Sequence, residues 1–207
     1  MTITSEPINL IIAGVGGQGN LLMSRMIGRA LVNKDYCVTM TDDIGVSQRA
    51  GAVTSYVRIS RYRRYGPMIP EGKAHSIVSL EPLETLRMLN KYGNPKVLAL
   101  SNIRSIFPAG VLLGRDKYPD LKELTEAIAE LSEVSWFIDA TDIALRLGDV
   151  IVTNIVMLGA LVGTEQLPIN VQDIEDEIRE TMPVKKIGLN LQALEMGFNA
   201  INKRVTA

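Results

Sequence analysis

A short apolar run that ends at a cluster of glycines constrains the fold of this chain more than any other feature. The run Ile8 to Ala13 is rich in β-branched residues, as expected of a strand buried on both faces of a parallel sheet. A loop of four glycines around one glutamine follows: Gly14, Gly16, Gly17, Gln18 and Gly19. Apolar residues then recur at helical spacing from Asn20 to Val32, and Cys37 to Thr41 has the composition of a second strand. This order of strand, glycine loop, helix and strand predicts a right-handed βαβ unit.

The rest of the chain continues the alternation of strands and helices without a linker or an internal repeat. Further strands are predicted at Ala52–Ser60, Ser76–Leu80, Val97–Leu100 and Trp136–Ile138, and the segment Tyr62–Ile69 is predicted to pair with the first of these as a hairpin. Helices are predicted at Pro82–Leu89, Val150–Gly163, Val171–Met182 and Leu191–Ile201. Another helix is predicted to begin at the capping box formed by Asp120 and Glu123. The pattern predicts one Rossmann-like α/β domain over residues 1–207, with a mostly parallel sheet flanked by helices, one β-hairpin insertion and helical C-terminal packing.

The chain has one cysteine, Cys37, and one histidine, His75. Because iron–sulfur clusters are held by four cysteines or by mixed sets of cysteine and histidine, this chain cannot hold such a cluster by itself. We therefore predict no metal site. Cys37 is interpreted as an inert core thiol, and His75 as a surface or strand-edge imidazole without chemistry.

The formal net charge is −1, which gives no overall attraction to nucleic acid or to an anionic membrane, and we expect neither as a partner. The longest apolar stretches fall well short of the roughly 18 residues that would suggest a membrane span, and no basic segment precedes an apolar one at the N-terminus. We expect a cytoplasmic protein.

The glycine loop allows two interpretations that the spacing alone does not separate. The loop fits the dinucleotide fingerprint, and Asp42 and Asp43 lie about where a ribose-binding acid would follow. This pattern is typical of a free-standing dinucleotide-binding oxidoreductase. Alternatively, the glycines only permit a tight turn and close packing of the helix on the sheet.

A second motif gives the loop a more specific meaning. The segment Asp43 to Val53, followed by Tyr56-Val57-Arg58, stands at a fixed distance after the loop. Together the two motifs resemble the gamma subunit or gamma domain of the 2-oxoacid:ferredoxin oxidoreductases, and Pro70–Ala74, Ser79–Glu84 and Thr153–Leu161 extend the similarity over almost the whole chain. The segments Asn102–Arg104, Tyr118-Pro119 and Met182-Pro183 are most similar to the beta subunits of the indolepyruvate type.

The resemblance implies a non-catalytic accessory subunit. Such enzymes convert a 2-oxoacid and coenzyme A into an acyl-CoA, carbon dioxide and reduced ferredoxin. The resemblance places thiamine diphosphate and the iron–sulfur clusters on a larger catalytic partner subunit, so this chain is expected to bind no cofactor alone, to meet ferredoxin only through the complex, and to help handle coenzyme A. The gamma subunit of a pyruvate or 2-oxoglutarate enzyme remains an alternative.

The resemblance and the residues together suggest where this chain would contact a ligand or the partner. The glycine loop is the first candidate, through Gly14, Gly16, Gly17, Gln18 and Gly19. Ser47, Gln48 and Arg49 form the second, although they could equally satisfy backbone carbonyls. Asn154 is the third, with a helix cap at Thr153 and Asn154 as the favoured structural explanation. No catalytic residue and no metal ligand is assigned.

A cluster of arginines and tyrosines lies in the predicted hairpin: Arg58, Arg61, Arg63 and Arg64 alternate with Tyr56, Tyr62 and Tyr65. A solvated hairpin is the simplest interpretation. The same composition could engage RNA, the phosphates of coenzyme A or an acidic protein. Our hypothesis is that the cluster docks an acidic surface of the large subunit or of ferredoxin.

Overall fold

The computed structural model describes residues 3–45 and 51–202 and forms one mixed sheet covered by helices on both faces. The strands are β1 (Ile8–Val15), β2 (Cys37–Ile44), β3 (Ala52–Ser60), β4 (Ser76–Ser79), β5 (Leu98–Asn102) and β6 (Val134–Ile138). The helices are α1 (Asn20–Val32), α2 (Pro82–Tyr92), α3 (Ala109–Leu112), α4 (Leu121–Glu130), α5 (Ala140–Arg146), α6 (Thr153–Gly163), α7 (Val171–Thr181) and α8 (Val184–Asn202). The α/β prediction is confirmed.

The strand order is β2-β3-β1-β4-β5-β6, in which β1, β4, β5 and β6 are parallel and β3 is antiparallel to both of its neighbours. Because two antiparallel pairings restore the direction, β2 runs the same way as β1. The predicted mostly parallel sheet is confirmed, since only β3 runs against the other described strands. The carboxyl-terminal ends of the five parallel strands, β1, β2, β4, β5 and β6, therefore lie at one edge of the sheet, which we name the carboxyl edge. We name the opposite edge the amino edge.

The predicted hairpin of Ala52–Ser60 with Tyr62–Ile69 is wrong, because β3 forms its hairpin with the preceding strand, β2. Strand β3 has β2 on one side and β1 on the other, so no edge is left for a third partner. The segment is instead a loop held by side chains of β3. The guanidinium of Arg58 donates to the carbonyls of Gly66 (2.9 Å) and Met68 (3.1 Å), and the hydroxyl of Ser60 accepts from the N–H groups of Tyr62 and Arg63 (both 3.1 Å). Pro67 within this stretch and Pro70 directly after it also lack the N–H donors that a ladder would need.

Two hydrophobic cores lie on the two faces of the sheet, as the alternation of side chains along β1 requires. Leu10 and Ile12 point into the larger core with α1, α6 and α8, while Ile11 points into the smaller one with α2 and α4. Every residue of α6 is buried, which explains why its sequence is apolar all round. The α6 and α8 backbones meet at Gly159 and Gly197, where an added Cβ would lie about 2 Å from a carbonyl oxygen of the other helix.

The helix signals in the sequence met with different outcomes. The Asp120–Glu123 capping box is confirmed at the start of α4. The cap predicted at Thr153 is wrong, because α6 continues directly from a 3-10 turn at Val150–Val152 and the Thr153 hydroxyl donates backward to the carbonyl of Val150 (2.7 Å). Helices α3 and α5 were not predicted, since four and seven residues are too few to show a helical period.

Candidate functional site

The glycine loop and Asn154 meet at the carboxyl edge. The loop joins β1 to α1. The N–H of Gly16 donates to the carbonyl of Gly51, the residue before β3 (2.8 Å). The amide Nδ2 of Asn154, in the first turn of α6, lies 3.4 Å from the carbonyl oxygen of Gly19. Gly19 has a positive φ of 88°, and a Cβ there would stand 2.4 Å from that amide, so the position favours glycine. Two segments 135 residues apart in the chain thus form one surface.

The second candidate, Ser47, Gln48 and Arg49, lies outside the described residues, and its roles remain predictions. Its described neighbours are at the same edge: the N–H of Gly45 donates to the carbonyl of Ala52 (3.0 Å), which closes the β2–β3 ladder. The connection between these two strands therefore starts and ends beside the glycine loop.

The side chain of Gln18 fills the crevice between β1 and β4. Its Oε1 accepts from the N–H of Val15 (2.7 Å), and its Nε2 donates to the carbonyl of Leu80 (3.0 Å). Helices α1 and α2 leave these strands toward opposite faces, so this crevice is the switch point at which open α/β sheets usually bind ligands. A Cβ at Gly14 would stand 2.7 Å from Oε1, so glycine is needed there for the glutamine to enter.

The position of β3 argues against the dinucleotide interpretation. Because β3 is inserted between β1 and β2, Asp42 and Asp43 are two strand spacings, about 10 Å, away from β1. In the dinucleotide fold the ribose-binding acid ends the strand next to β1. Asp42 is moreover used within the sheet, where its Oδ1 accepts from the hydroxyl of Ser55 (2.5 Å). The fingerprint is present in the sequence, but the geometry that gives it meaning is absent from the described residues.

The outer side of the glycine loop is open. A cavity of about 520 Å³ lies between the loop, the end of β2 and the start of β3, with Gly17, Asn20 and Ile44 on its walls. Gly17 and Gly19 both have positive φ, 94° and 88°, a conformation that turns successive N–H groups outward. Within the described part of the chain, four of these groups have no hydrogen-bond acceptor: the N–H groups of Gly17, Gly19, Asn20 and Leu21. The start of α1 can therefore receive an anion or a carbonyl oxygen.

Asn20 adds an acceptor to this row of donors. Its Nδ2 donates to the carbonyl of Val53 (2.8 Å), which fixes the orientation of the amide. Its Oδ1 is buried and has no partner among the described residues. Exposed apolar side chains lie on the elements that meet here: Leu22 on α1, Ile44 at the end of β2 and Ile151 in the turn before α6. A polar centre with an apolar rim is typical of a surface that another molecule covers.

The remaining chemistry-bearing residues lie elsewhere. His75 is at the amino edge, where its Nδ1 accepts from the N–H of Asn9 (2.9 Å) and the proton is thereby assigned to Nε2. Burial, and to a lesser extent Lys73, lower the pKa of His75, which favours the neutral ring at pH 7. Its position next to the start of β4 agrees with the strand-edge prediction, and its lack of chemistry stays a prediction. Cys37 is only half-buried at the start of β2, so the core placement predicted for it is wrong. The described residues contain no group of three or more potential metal ligands.

The arginine cluster is also at the amino edge, and most of it is engaged within the chain. Arg61 donates from Nε to the hydroxyl of Tyr36 (2.9 Å) and lies 4.9 Å from the centre of that ring. Arg58 and Arg63 lie over the ring of Tyr65, at 5.1 and 4.7 Å. These contacts stabilise the loop after β3, and a docking role stays a prediction.

Two buried polar residues at the carboxyl edge were missed in the sequence. Asn102 ends β5; its Nδ2 donates to the Leu80 carbonyl (3.1 Å), and its Oδ1 accepts from the N–H of Ala140 (3.0 Å). Glu81 follows β4 and caps α2 by accepting from the N–H of Glu84 (2.9 Å). A polar residue at the end of an apolar strand was the available signal, because carboxyl edges of parallel strands collect such side chains.

Comparison with known proteins covers nearly the whole chain. A family model described as pyruvate ferredoxin/flavodoxin oxidoreductase matches residues 9–200. Two relatives are named indolepyruvate oxidoreductase subunit IorB: the Archaeoglobus fulgidus protein is 39% identical over 97% of this chain and 98% of its own length, and the Pyrococcus horikoshii protein is 38% identical over 93% of this chain and 95% of its own.

A solved structure shares the fold. It is the 2-oxoglutarate:ferredoxin oxidoreductase from Magnetococcus marinus with 2-oxoglutarate, coenzyme A and succinyl-CoA bound, and it superposes with a TM-score of 0.74 at 18% identity. The superposition covers 98% of this chain but 32% of that one. None of the described helices is both long and apolar enough to cross a membrane.

Proposed function

The chain belongs to the pyruvate ferredoxin/flavodoxin oxidoreductase family, and we propose that it is the small, non-catalytic subunit of a 2-oxoacid:ferredoxin oxidoreductase of the indolepyruvate type. One observation carries this proposal: relatives at 38–39% identity, matched over almost their full length, are named as subunits of indolepyruvate oxidoreductase. The protein is thus one component of an oxidoreductase complex.

The redox chemistry is assigned to a larger partner subunit. With a single cysteine, this chain does not fit an iron–sulfur cluster, and its described residues contain no group of three or more His, Cys, Asp or Glu side chains that could hold a metal ion. When bound by the partner, thiamine diphosphate would supply the electron sink for the carbanion of the 2-oxoacid. The contribution of this chain is to bind the partner and to shape its surface.

The carboxyl edge is the surface we assign to this role, with coenzyme A as the ligand that it helps to position. The N–H groups of Gly17, Gly19, Asn20 and Leu21, which have no acceptor among the described residues, suit a phosphate of coenzyme A. The Oδ1 of Asn20, also without a described partner, suits an N–H donor such as an amide of the same molecule. The apolar side chains around them, including Leu22 and Ile44, would be covered by the partner. Gln18 blocks the crevice behind the loop, so a ligand would approach from the outer cavity.

The first prediction separates a subunit from an independent enzyme. We expect the purified chain to reduce no methyl viologen with indolepyruvate, thiamine diphosphate and coenzyme A, and the anaerobically co-expressed complex with the large subunit to do so. Sustained reduction by the isolated chain would disprove the proposal. A higher kcat/KM for pyruvate or 2-oxoglutarate than for indolepyruvate would instead favour the alternative type of enzyme.

The second prediction tests the glycine loop in the assembled enzyme. Gly17→Ala adds a methyl group beside the outer cavity, where no described atom beyond the adjoining residues lies within 4 Å. It should raise the KM for coenzyme A by about tenfold to a hundredfold, because blocking one charge-assisted hydrogen bond costs about 1.5–3 kcal/mol. Gly72→Ala is the matched control, since Gly72 also has positive φ but lies at the amino edge. Both variants should lose about 1 kcal/mol of stability; equal KM values for the two would argue against the assigned surface.

A further inference from the structure

The connection between β5 and α4 is unusually long. It covers residues 103–120, whereas connections in α/β proteins usually have about 2–6 residues, and those longer than about 12–15 are commonly functional. It leaves the sheet at the carboxyl edge, directly after Asn102, and contains only the single-turn helix α3. We name residues 103–120 the arm.

Both ends of the arm are fastened to one buried carboxylate. This carboxylate belongs to Glu81, a residue that is only 1% exposed. Its Oε1 accepts from the N–H of Ile106 (3.3 Å) and from the hydroxyl of Tyr118. The rings of Phe107 and Tyr118 pack against each other with 5.1 Å between their centres. Because its two ends meet at one point, the arm is held in a defined position on the domain.

The middle of the arm folds on itself and presents apolar side chains to water. The N–H of Arg115 donates to the carbonyl of Gly110 (2.8 Å), and Gly114 turns the chain with a φ of 69°. Leu112 is 71% exposed and Leu113 is 65% exposed. Two neighbouring leucines held out by an ordered turn gain nothing in the isolated domain, whereas covering them would be favourable in proportion to their area.

The charged residues of the arm indicate the chemistry of what covers it. Three cations lie on it, Arg104, Arg115 and Lys117, all exposed and without an ion pair among the described residues. Two acids, Asp116 and Asp120, lie on it as well, and Asp120 caps α4, so the arm keeps an excess of one positive charge. An apolar tip between unpaired cations complements an apolar pocket with carboxylates on its rim.

We propose that the arm is a docking element that inserts Leu112 and Leu113 into an apolar, acidic-rimmed pocket of the large subunit. The inference rests on the proposed function, because it takes the occupant to be that subunit. The arm extends from the same edge as the glycine loop, so one subunit can cover both. The larger size of the Magnetococcus chain, of which this chain matches 32%, shows that this fold also occurs joined to a much greater length of polypeptide.

The test measures the affinity of the full-length chain for the purified large subunit. The double variant Leu112→Ser with Leu113→Ser should raise the Kd about 30-fold or more with an unchanged Tm, since both side chains are already in water in the free domain. The control is Val32→Ser with Met68→Ser, which removes two similarly exposed apolar side chains at the amino edge. It should change the Kd by less than about threefold.

A charge variant tests the acidic rim separately. The double variant Arg115→Glu with Lys117→Glu should associate more slowly than the wild type. Its affinity should also fall much less than that of the wild type when salt is added. Failure of the wild-type chain to bind the large subunit would overturn the proposed function itself. Binding of the wild type together with an equal Kd for the leucine variant and its control would overturn the arm inference alone.

Discussion

Replacing Gly197 by alanine is expected to destabilise the domain by about 3–5 kcal/mol, the largest effect that we expect from any single methyl group in this chain. The Cβ would stand 1.9 Å from the carbonyl oxygen of Val156 and 2.8 Å from its carbon. These are backbone atoms, so no rotamer change can relieve the overlap, and α6 and α8 must move apart. Alanine is the better helix former by about 1 kcal/mol, which is too little to compensate.

Gly188 provides the matched control for this prediction. It lies in the same helix, α8, but a Cβ there meets nothing within 4 Å. Gly188→Ala should therefore be neutral or stabilise the protein by up to about 1 kcal/mol. Chemical denaturation monitored by circular dichroism measures both. A Gly197→Ala variant within about 0.5 kcal/mol of the wild type would show that the two helices do not touch through their backbones.

Replacing Glu81 by alanine is expected to cost about 3–4 kcal/mol and to release the arm. The substitution removes the cap of α2, worth about 1 kcal/mol, and leaves three donors without their acceptor: the N–H groups of Glu84 and Ile106 and the hydroxyl of Tyr118. Burial and the contact with Glu81 raise the pKa of Tyr118, so this hydroxyl stays protonated and remains a donor at neutral pH.

Tyr118→Phe separates the arm contact from the helix cap. It removes one hydrogen bond to Glu81 and keeps the ring packed against Phe107, so it should cost about 1 kcal/mol. Limited proteolysis should cut Glu81→Ala within the arm faster than either Tyr118→Phe or the wild type. Equal cleavage rates in all three proteins would mean that Glu81 caps α2 without holding the arm.

The negative charge of Glu81 also acts on its buried neighbour Glu84. Desolvation raises the pKa of Glu84, Arg87 opposes this, and the charge of Glu81 adds to the increase. Removing Glu81 therefore relieves a small repulsion, which makes the expected loss of stability slightly smaller than the sum of the lost hydrogen bonds.

The sequence predicted well those parts of the fold that depend on local periodicity. Strand β1 and helix α1 were recognisable because an apolar run, a glycine loop and a helical stripe follow one another, and α1 has the predicted bounds. The sequence also brought Gly19 and Asn154 forward as candidates, and the structure places them in contact. Their roles toward a ligand or partner remain predictions.

The failures share a physical origin: each depends on which segments become neighbours in three dimensions. Nothing in the composition of β3 tells that it inserts between β1 and β2, and this insertion decides both the true hairpin and the distance of Asp42 from the loop. Likewise, the sequence does not tell whether the amide of Gln18 faces water or bridges Val15 and Leu80, as it does in the structure. Long-range pairing of this kind leaves no periodic signal in the chain.

The insertion of β3 also sets an order of events for a chain emerging from the ribosome. Strands β1 and β2 are synthesised first, but they cannot pair with each other, because the place between them belongs to residues 52–60. Until Ser60 has been made, the backbone donors and acceptors along this edge of β1 have no complete strand to pair with. Nascent fragments that stop before Ala52 should therefore aggregate readily, whereas those that extend past Ser60 can close this half of the sheet.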